Sequence, residues 1–130
     1  MRRSLVVLSL LCLLVPGCGK SSAPTAHLAG TVTINGAPIP SDAEAGLSIK
    51  PIDGGEAVSV PITDGHYDSP NTPLGEVSVK FYITQEVGPV RTSDRTGEQY
   101  RDTANLVPPG SAAGTAITVT ADNLDQNFDL

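Results

Sequence analysis

Few side chains in this 130-residue sequence have the types and spacing that chemistry requires. There are two histidines, His27 and His66, and two cysteines, Cys12 and Cys18. A zinc centre takes about three protein ligands drawn mainly from His and Cys. Two histidines on separate segments with no thiol near them do not make one, and no metal ligand is assigned. Asp64 and Asp68 flank one turn, while Asp122, Asp125 and Asp129 gather near residue 130. Oxygen-rich loops can hold calcium, but aspartates also form turns in their own right, and no EF-hand-like ligand run is present. Ser22 and the other serines have no base placed beside them by spacing, so nucleophilic catalysis finds no support. The expectation is a protein with no catalytic residue and no cofactor. The group best suited to a partner is Arg91, Arg95, Tyr100 and Arg101, where guanidinium forks and an aromatic face could meet another protein or a glycan.

Cys18 stands in a different context. Arg2 and Arg3 precede an apolar run from Leu5 to Val15, and small residues then lead to the cysteine. A spanning helix needs roughly 20 apolar residues, and Pro16 and Gly17 end this run sooner. Positive residues, a short apolar stretch and small residues in that order form a secretion signal, not part of a fold. The segment Leu14-Val15-Pro16-Gly17-Cys18 resembles the lipobox of bacterial lipoproteins. That resemblance implies removal of residues 1–17 and acylation of Cys18. Gly19, in place of an aspartate, implies onward passage from the inner membrane. The implied location is the cell envelope, lipid-anchored at the periplasmic face of the outer membrane or at the cell surface.

Removal of the 17-residue leader leaves 113 residues, enough for one domain. That remainder carries six Lys and Arg against 14 Asp and Glu, a formal charge of −8. Such a balance argues against a nucleic-acid partner, which needs a basic patch, and against electrostatic docking on anionic headgroups. Attachment to the membrane would rest on the acyl chains, at about 0.8 kcal/mol per buried CH₂. Cys12 leaves with the leader, so the folded part is expected to have neither a disulfide nor a free thiol.

The elements that would position these residues are all strands. Residues 18–26 are small, polar and proline-bearing and read as a flexible tether carrying Cys18; residues 27–130 read as the domain. Leu28, Val32 and Ile34 alternate with Ala29, Thr31 and Thr33, and Asn35-Gly36 follows as a tight turn. Strands are expected over Gly46–Ile52, with Leu47 and Ile49 inward, and over Glu56–Thr63, with Val58, Val60 and Ile62 inward. Pro61 marks the latter as an edge strand. Asp64-Gly65 turns the chain into a short strand at His66–Asp68 with Tyr67 in the core, and Ser69–Pro73 reads as a loop. Glu76–Thr84 has the clearest alternation: Val77, Val79, Phe81 and Ile83 on one face and Tyr82 on the other. Residues 85–114 show no sustained period and are expected to form a long loop, pinned by Tyr100 and by Leu106-Val107. Thr115–Ala121 resumes alternation, Asp122-Asn123 reads as a hairpin turn, and Leu124, Phe128 and Leu130 share the closing face.

Three stretches carry a second resemblance. Gly30 to Pro40 reads Gly-Thr-Val-Thr-Ile-Asn-Gly-Ala-Pro-Ile-Pro, similar to an opening G-x-V-x-x-x-G-x-P-I/L. Thr63-Asp-Gly-His-Tyr67 is like T-D-x-G-x-F/Y, one residue short. Pro73-Leu-Gly-Glu-Val77 is like P-x-G-x-Y, with Val77 in the aromatic position. With Tyr100 and the closing Asn127-Phe-Asp-Leu130, these resemble the carboxypeptidase regulatory-like, or transthyretin-like, domain. The resemblance implies an all-β fold: a single seven-stranded antiparallel Greek-key-like β-sandwich. It implies no reaction. The expected function is a non-catalytic envelope module of structural or protein-interaction type. The alternative is a module that binds a polysaccharide, peptide or metal through the 85–114 loop.

Overall fold

The computed structural model describes residues 24–130. The expected leader, Cys18 and residues 19–23 of the expected tether lie outside the described residues. Nine strands follow in order: β1 (Thr25–Ile34), β2 (Ala37–Pro38), β3 (Ala43–Pro51), β4 (Val58–Pro61), β5 (His66–Pro73), β6 (Gly75–Thr92), β7 (Gln99–Asn105), β8 (Thr115–Val119) and β9 (Phe128–Asp129). One 3₁₀ turn, Pro109–Ser111, is the only helical element among the described residues. Periodicity gives seven strands; β2 and β7 are the additional two.

The strands form two sheets, as in a β-sandwich. One has the order β2-β1-β5, with β9 parallel to β1; the other has the order β4-β3-β6-β7, with β8 also on β6. The β1–β9 pair makes the fold not wholly antiparallel. Alternation fills the space between the sheets. Val77, Val79 and Ile83 of β6 are fully buried, as are Leu47 and Ile49 of β3, which pair with Phe81 and Val79. Each such side chain is worth about 1.5–3 kcal/mol of burial. From the facing sheet come Leu28, Val32, Tyr67 and Phe128. The Phe128 ring meets Phe81 edge-on with centroids 5.1 Å apart and lies 5.9 Å from Tyr67, so an aromatic trio spans the core.

The two tight turns have the expected backbone. Asn35 and Gly36 take φ of 50° and 76°, and Asp64 and Gly65 take 51° and 76°. Asn, Asp and Gly tolerate this left-handed region, and the twist of such turns suits the strands they join. Pro61 does lie on an edge strand, since β4 is the outermost strand of its sheet.

Four expectations are corrected. First, β1 begins at Thr25 and Ala26 is buried, so the last two residues of the expected tether belong to the sheet. Second, Ser69–Pro73 is not a loop but the second half of β5, paired with β1. The pairing shifts register between Ala26 and Leu28, and that bulge leaves Pro70 and Asn71 without ladder partners. Ser69 and Thr72, both 0% exposed, carry no apolar signal, yet the Thr72 hydroxyl donates to the Ser69 hydroxyl at 2.8 Å. Third, Asp122-Asn123 is not a hairpin turn. The chain crosses there from β8 in one sheet to β9 in the other, and Asn123 bridges to Leu28. Leu124 consequently faces solvent, 61% exposed, while Phe128 and Leu130 are buried. Fourth, 85–114 is not one loop, as described below.

The closing segment runs along β1. The backbone N–H of Gln126 donates to the Ala29 carbonyl at 2.9 Å, that of Leu130 to Thr33 at 2.8 Å, and that of Asn35 to Leu130 at 2.7 Å. Gly30 makes room for it: a Cβ there would stand 2.1 Å from the Gln126 carbonyl oxygen. The Tyr67 hydroxyl donates to that same carbonyl at 2.6 Å, and burial pushes its pKa upward.

A charge within the β6 row should defeat folding, because an unpaired buried carboxylate costs several kcal/mol against a total stability of about 5–15 kcal/mol. Val79→Asp is therefore expected to show no cooperative thermal transition by circular dichroism. A normal melt would mean that Val79 does not face the core.

Candidate functional site

The candidate contact residues lie on a β-hairpin arm. β3 accompanies β6 only as far as the pair Ala43–Gln85. Beyond it, β6 continues to Thr92, turns, and returns as β7, with Thr92 opposite Gln99 and Thr84 opposite Asn105. The turn is closed by the Ser93 N–H donating to the Glu98 carbonyl and the Gly97 N–H to the Ser93 carbonyl, both at 2.8 Å. At the base, the Gln85 amide donates to both oxygens of Asp42 at 2.9 Å. β7 and β8 then follow one another along the same edge of β6. Between them, Val107 is buried and Leu106 packs against the core. That pair pins the segment as expected; Tyr100, 48% exposed, does not.

The arm has a built irregularity. Val87 faces Asp102 and Arg91 faces Tyr100, so Gly88, Pro89 and Val90 oppose Arg101 alone. Pro89 has no N–H, and Gly88 takes φ of 77°. A bulge with proline on a free edge discourages pairing with another chain.

The arginines do not converge. Arg91 stands opposite Tyr100, one residue from Arg101, so alternation puts the two guanidinium groups on different faces. Arg91 pairs with Asp102 at 3.2 Å; with both side chains exposed, the pair contributes no more than about 1 kcal/mol. Arg101 lines a shallow groove of about 170 Å³ with Glu86, Val90, Gln99 and Tyr100. Arg95 sits in the turn between the strands. Val87 and Val90, both exposed, join Tyr100 as apolar side chains on the arm. Sequence reasoning missed them because Gly88-Pro89 interrupts the alternation that would have revealed a strand. A larger cleft of about 380 Å³ lies at the arm's base, lined by Ile39, Ala43, Ala45, Ile62 and Asp64 among others. It presents a single ionisable side chain, which gives it no acid–base pair.

Elsewhere, the polar residues serve the backbone. The His27 ring nitrogen meets the Asp68 carboxylate across β1 and β5, and the His27 N–H donates to Asp122 at 2.7 Å. His66 lies at the far end of β5, opposite Thr31. Asp129 accepts from the Gly36 N–H at 2.7 Å and from the Thr33 hydroxyl at 2.8 Å. Among the described residues no three His, Cys, Asp or Glu side chains group as metal ligands. Tyr82 is half exposed on the outer sheet face, but its ring covers Gly46, where a Cβ would approach Cε2 to 2.5 Å. It therefore shields a glycine in the sheet.

No known protein family, curated protein or solved structure matches the chain.

Two predictions follow from this geometry. The Gly36 N–H, then the Thr33 hydroxyl, hold the Asp129 carboxyl below its usual range. Its contribution is therefore complete above about pH 4 and is lost as pH falls through the lowered value. Asp129→Asn should lower the urea midpoint at neutral pH, and the deficit should vanish in strong acid; a deficit independent of pH would contradict the assignment. Replacing residues 87–102 by Asn-Gly would leave Glu86 and Thr103, a paired couple, flanking a two-residue turn. Stability by urea titration should stay within about 1 kcal/mol of the parent, and a larger loss would make the arm part of the folding unit.

Proposed function

We propose that the chain is a lipid-anchored protein of the bacterial envelope whose β-sandwich is a non-catalytic structural or protein-interaction module. The observation that carries this reading is the leader. Arg2 and Arg3, the apolar run to Val15, and Gly17 before Cys18 stand in the order of a lipoprotein signal. The Greek-key-like, transthyretin-like topology belongs to the same proposal. It is supported by the two-sheet arrangement, by the turns at Asn35-Gly36 and Asp64-Gly65, and by Tyr67 and Phe128 in the core. The location is the periplasmic face of the outer membrane or the cell surface.

An interaction role is supported by the arm, which carries Arg91, Arg95, Tyr100 and Arg101 beyond the sandwich. A protein or peptide suits it better than a sugar. Sugar recognition leans on accessible aromatic faces, and Tyr82 already covers Gly46. A groove of about 170 Å³ is also below the usual size of a small-molecule pocket, about 300–1,000 Å³.

Mass spectrometry of the membrane fraction tests the anchor. The expected species lacks residues 1–17 and carries acyl groups on Cys18, and Cys18→Ser is expected to lose the acyl mass and leave the membrane fraction. A membrane form that retains the leader, or that has an unmodified Cys18, would refute the proposal. Comparing envelope partners captured by the parent and by the arm-shortened variant tests the interaction role, which predicts a partner lost with the arm.

A further inference from the structure

We infer that the point where the chain is anchored and the tip of the arm are opposite poles of the protein, so that acyl chains on Cys18 hold the arm as the membrane-distal end. The inference rests on the lipid-anchor reading above. It follows from the strand registers. At one pole Thr25 pairs with Pro73, and β5 passes through Leu74 into β6 at Gly75. Gly75 pairs with Val119, and Pro51 with Val77, so the ends of β3 and β8 lie at that pole too. The opposite pole holds the Asn35-Gly36 turn at the far end of β1, the Asp64-Gly65 turn before β5, and the pair Ala43–Gln85, where the arm leaves the sandwich.

β6 connects the two poles without a break. With the Gly88–Val90 bulge advancing the ladder only from Asp102 to Tyr100, its 18 residues span about 50 Å at about 3.3 Å per ladder step, and the Ser93–Glu98 turn lies beyond its end. Seven chain steps separate Cys18 from Thr25; at about 3.6 Å each they reach at most about 25 Å. The tether thus keeps the first pole within about 25 Å of the bilayer, and the tip lies about twice that distance along β6 from the first pole. Charge opposes a collapse of the arm onto the membrane. The mature chain carries −8, and the arm from Glu86 to Thr103 holds four acids and three arginines. It offers no basic patch to anionic headgroups.

Energy transfer to the bilayer tests this on the full lipidated chain. Apart from acylated Cys18 the processed chain has no cysteine, so a single new thiol takes a donor dye. Asp53→Cys labels the turn after β3 at the first pole, and Asp94→Cys labels the arm turn; both remove one acid at an exposed position. The proteins are bound to phosphatidylethanolamine–phosphatidylglycerol vesicles containing an acceptor-labelled lipid. Strong transfer from position 53 and its loss at position 94 is the expected result. Equal transfer from both positions in vesicle-bound protein would overturn the polarity while leaving the anchor standing. Protein recovered free of vesicles, with no transfer from either position, would overturn the anchor and the polarity with it.

Discussion

Burial of the row Val77, Val79, Phe81 and Ile83 is the interaction on which this protein is built. These four side chains alternate along the first half of β6, which pairs with β3 on one edge and with β8 and then β7 on the other. A strand with neighbours on both edges has its ladder groups satisfied, and one apolar face then drives the sheet onto its partner layer. The strand's length sets the rest. β3 stops opposite Gln85 while β6 runs on to Thr92, so the same element that anchors the core also builds the arm. The arm's buried area is small, and its shape comes from the ladder with β7 and from the tight Ser93–Glu98 turn.

The second constraint is closure by the final residues. Asn123 to Leu130 bond to β1, nearly the whole domain away in sequence. Closing so long a loop costs conformational entropy, offset here by the burial of Phe128 and Leu130 and by a continuous set of backbone hydrogen bonds. The close approach explains Gly30, and the polar residues of this segment are explained with it. Asn127 Oδ1 accepts from the Thr31 N–H and Asp129 from the Gly36 N–H. Asp122 and Asp129, which look like part of an oxygen-rich cluster in the sequence, act instead as acceptors for the backbone N–H groups of His27 and Gly36.

The arm's composition agrees with life at a free edge. Gly88 and Pro89 place a bulge where an uninterrupted strand would expose a row of unpaired donors and acceptors. Contact there would come through side chains, with Arg91 on one face and Arg101 and Glu86 on the other. The two faces differ in charge arrangement because Asp102 pairs with Arg91, while Arg101 makes no such ion pair among the described residues.

By itself the sequence determined the all-β class, the inward row of β6, the two Asx-Gly turns and the edge position of Pro61. Each follows from local chemistry: period-two burial, tolerance of positive φ, and a missing N–H. The order of residues 2–18, on which the proposed anchor rests, is likewise a linear pattern that involves no fold. Tertiary structure alone decided the rest. Ser69 and Thr72 enter the core because each satisfies the other's hydroxyl and β1 supplies the ladder. Gln85–Thr92 and Gln99–Asn105 become strands because they pair with each other, which no apolar alternation announced once Gly88-Pro89 had broken the period. Asp122-Asn123 crosses between sheets because the chain beyond it finds β1, not β8. Whether polar residues form a loop, a buried pair or a projecting hairpin depends on which backbone groups lie across from them, and that is a property of the folded chain.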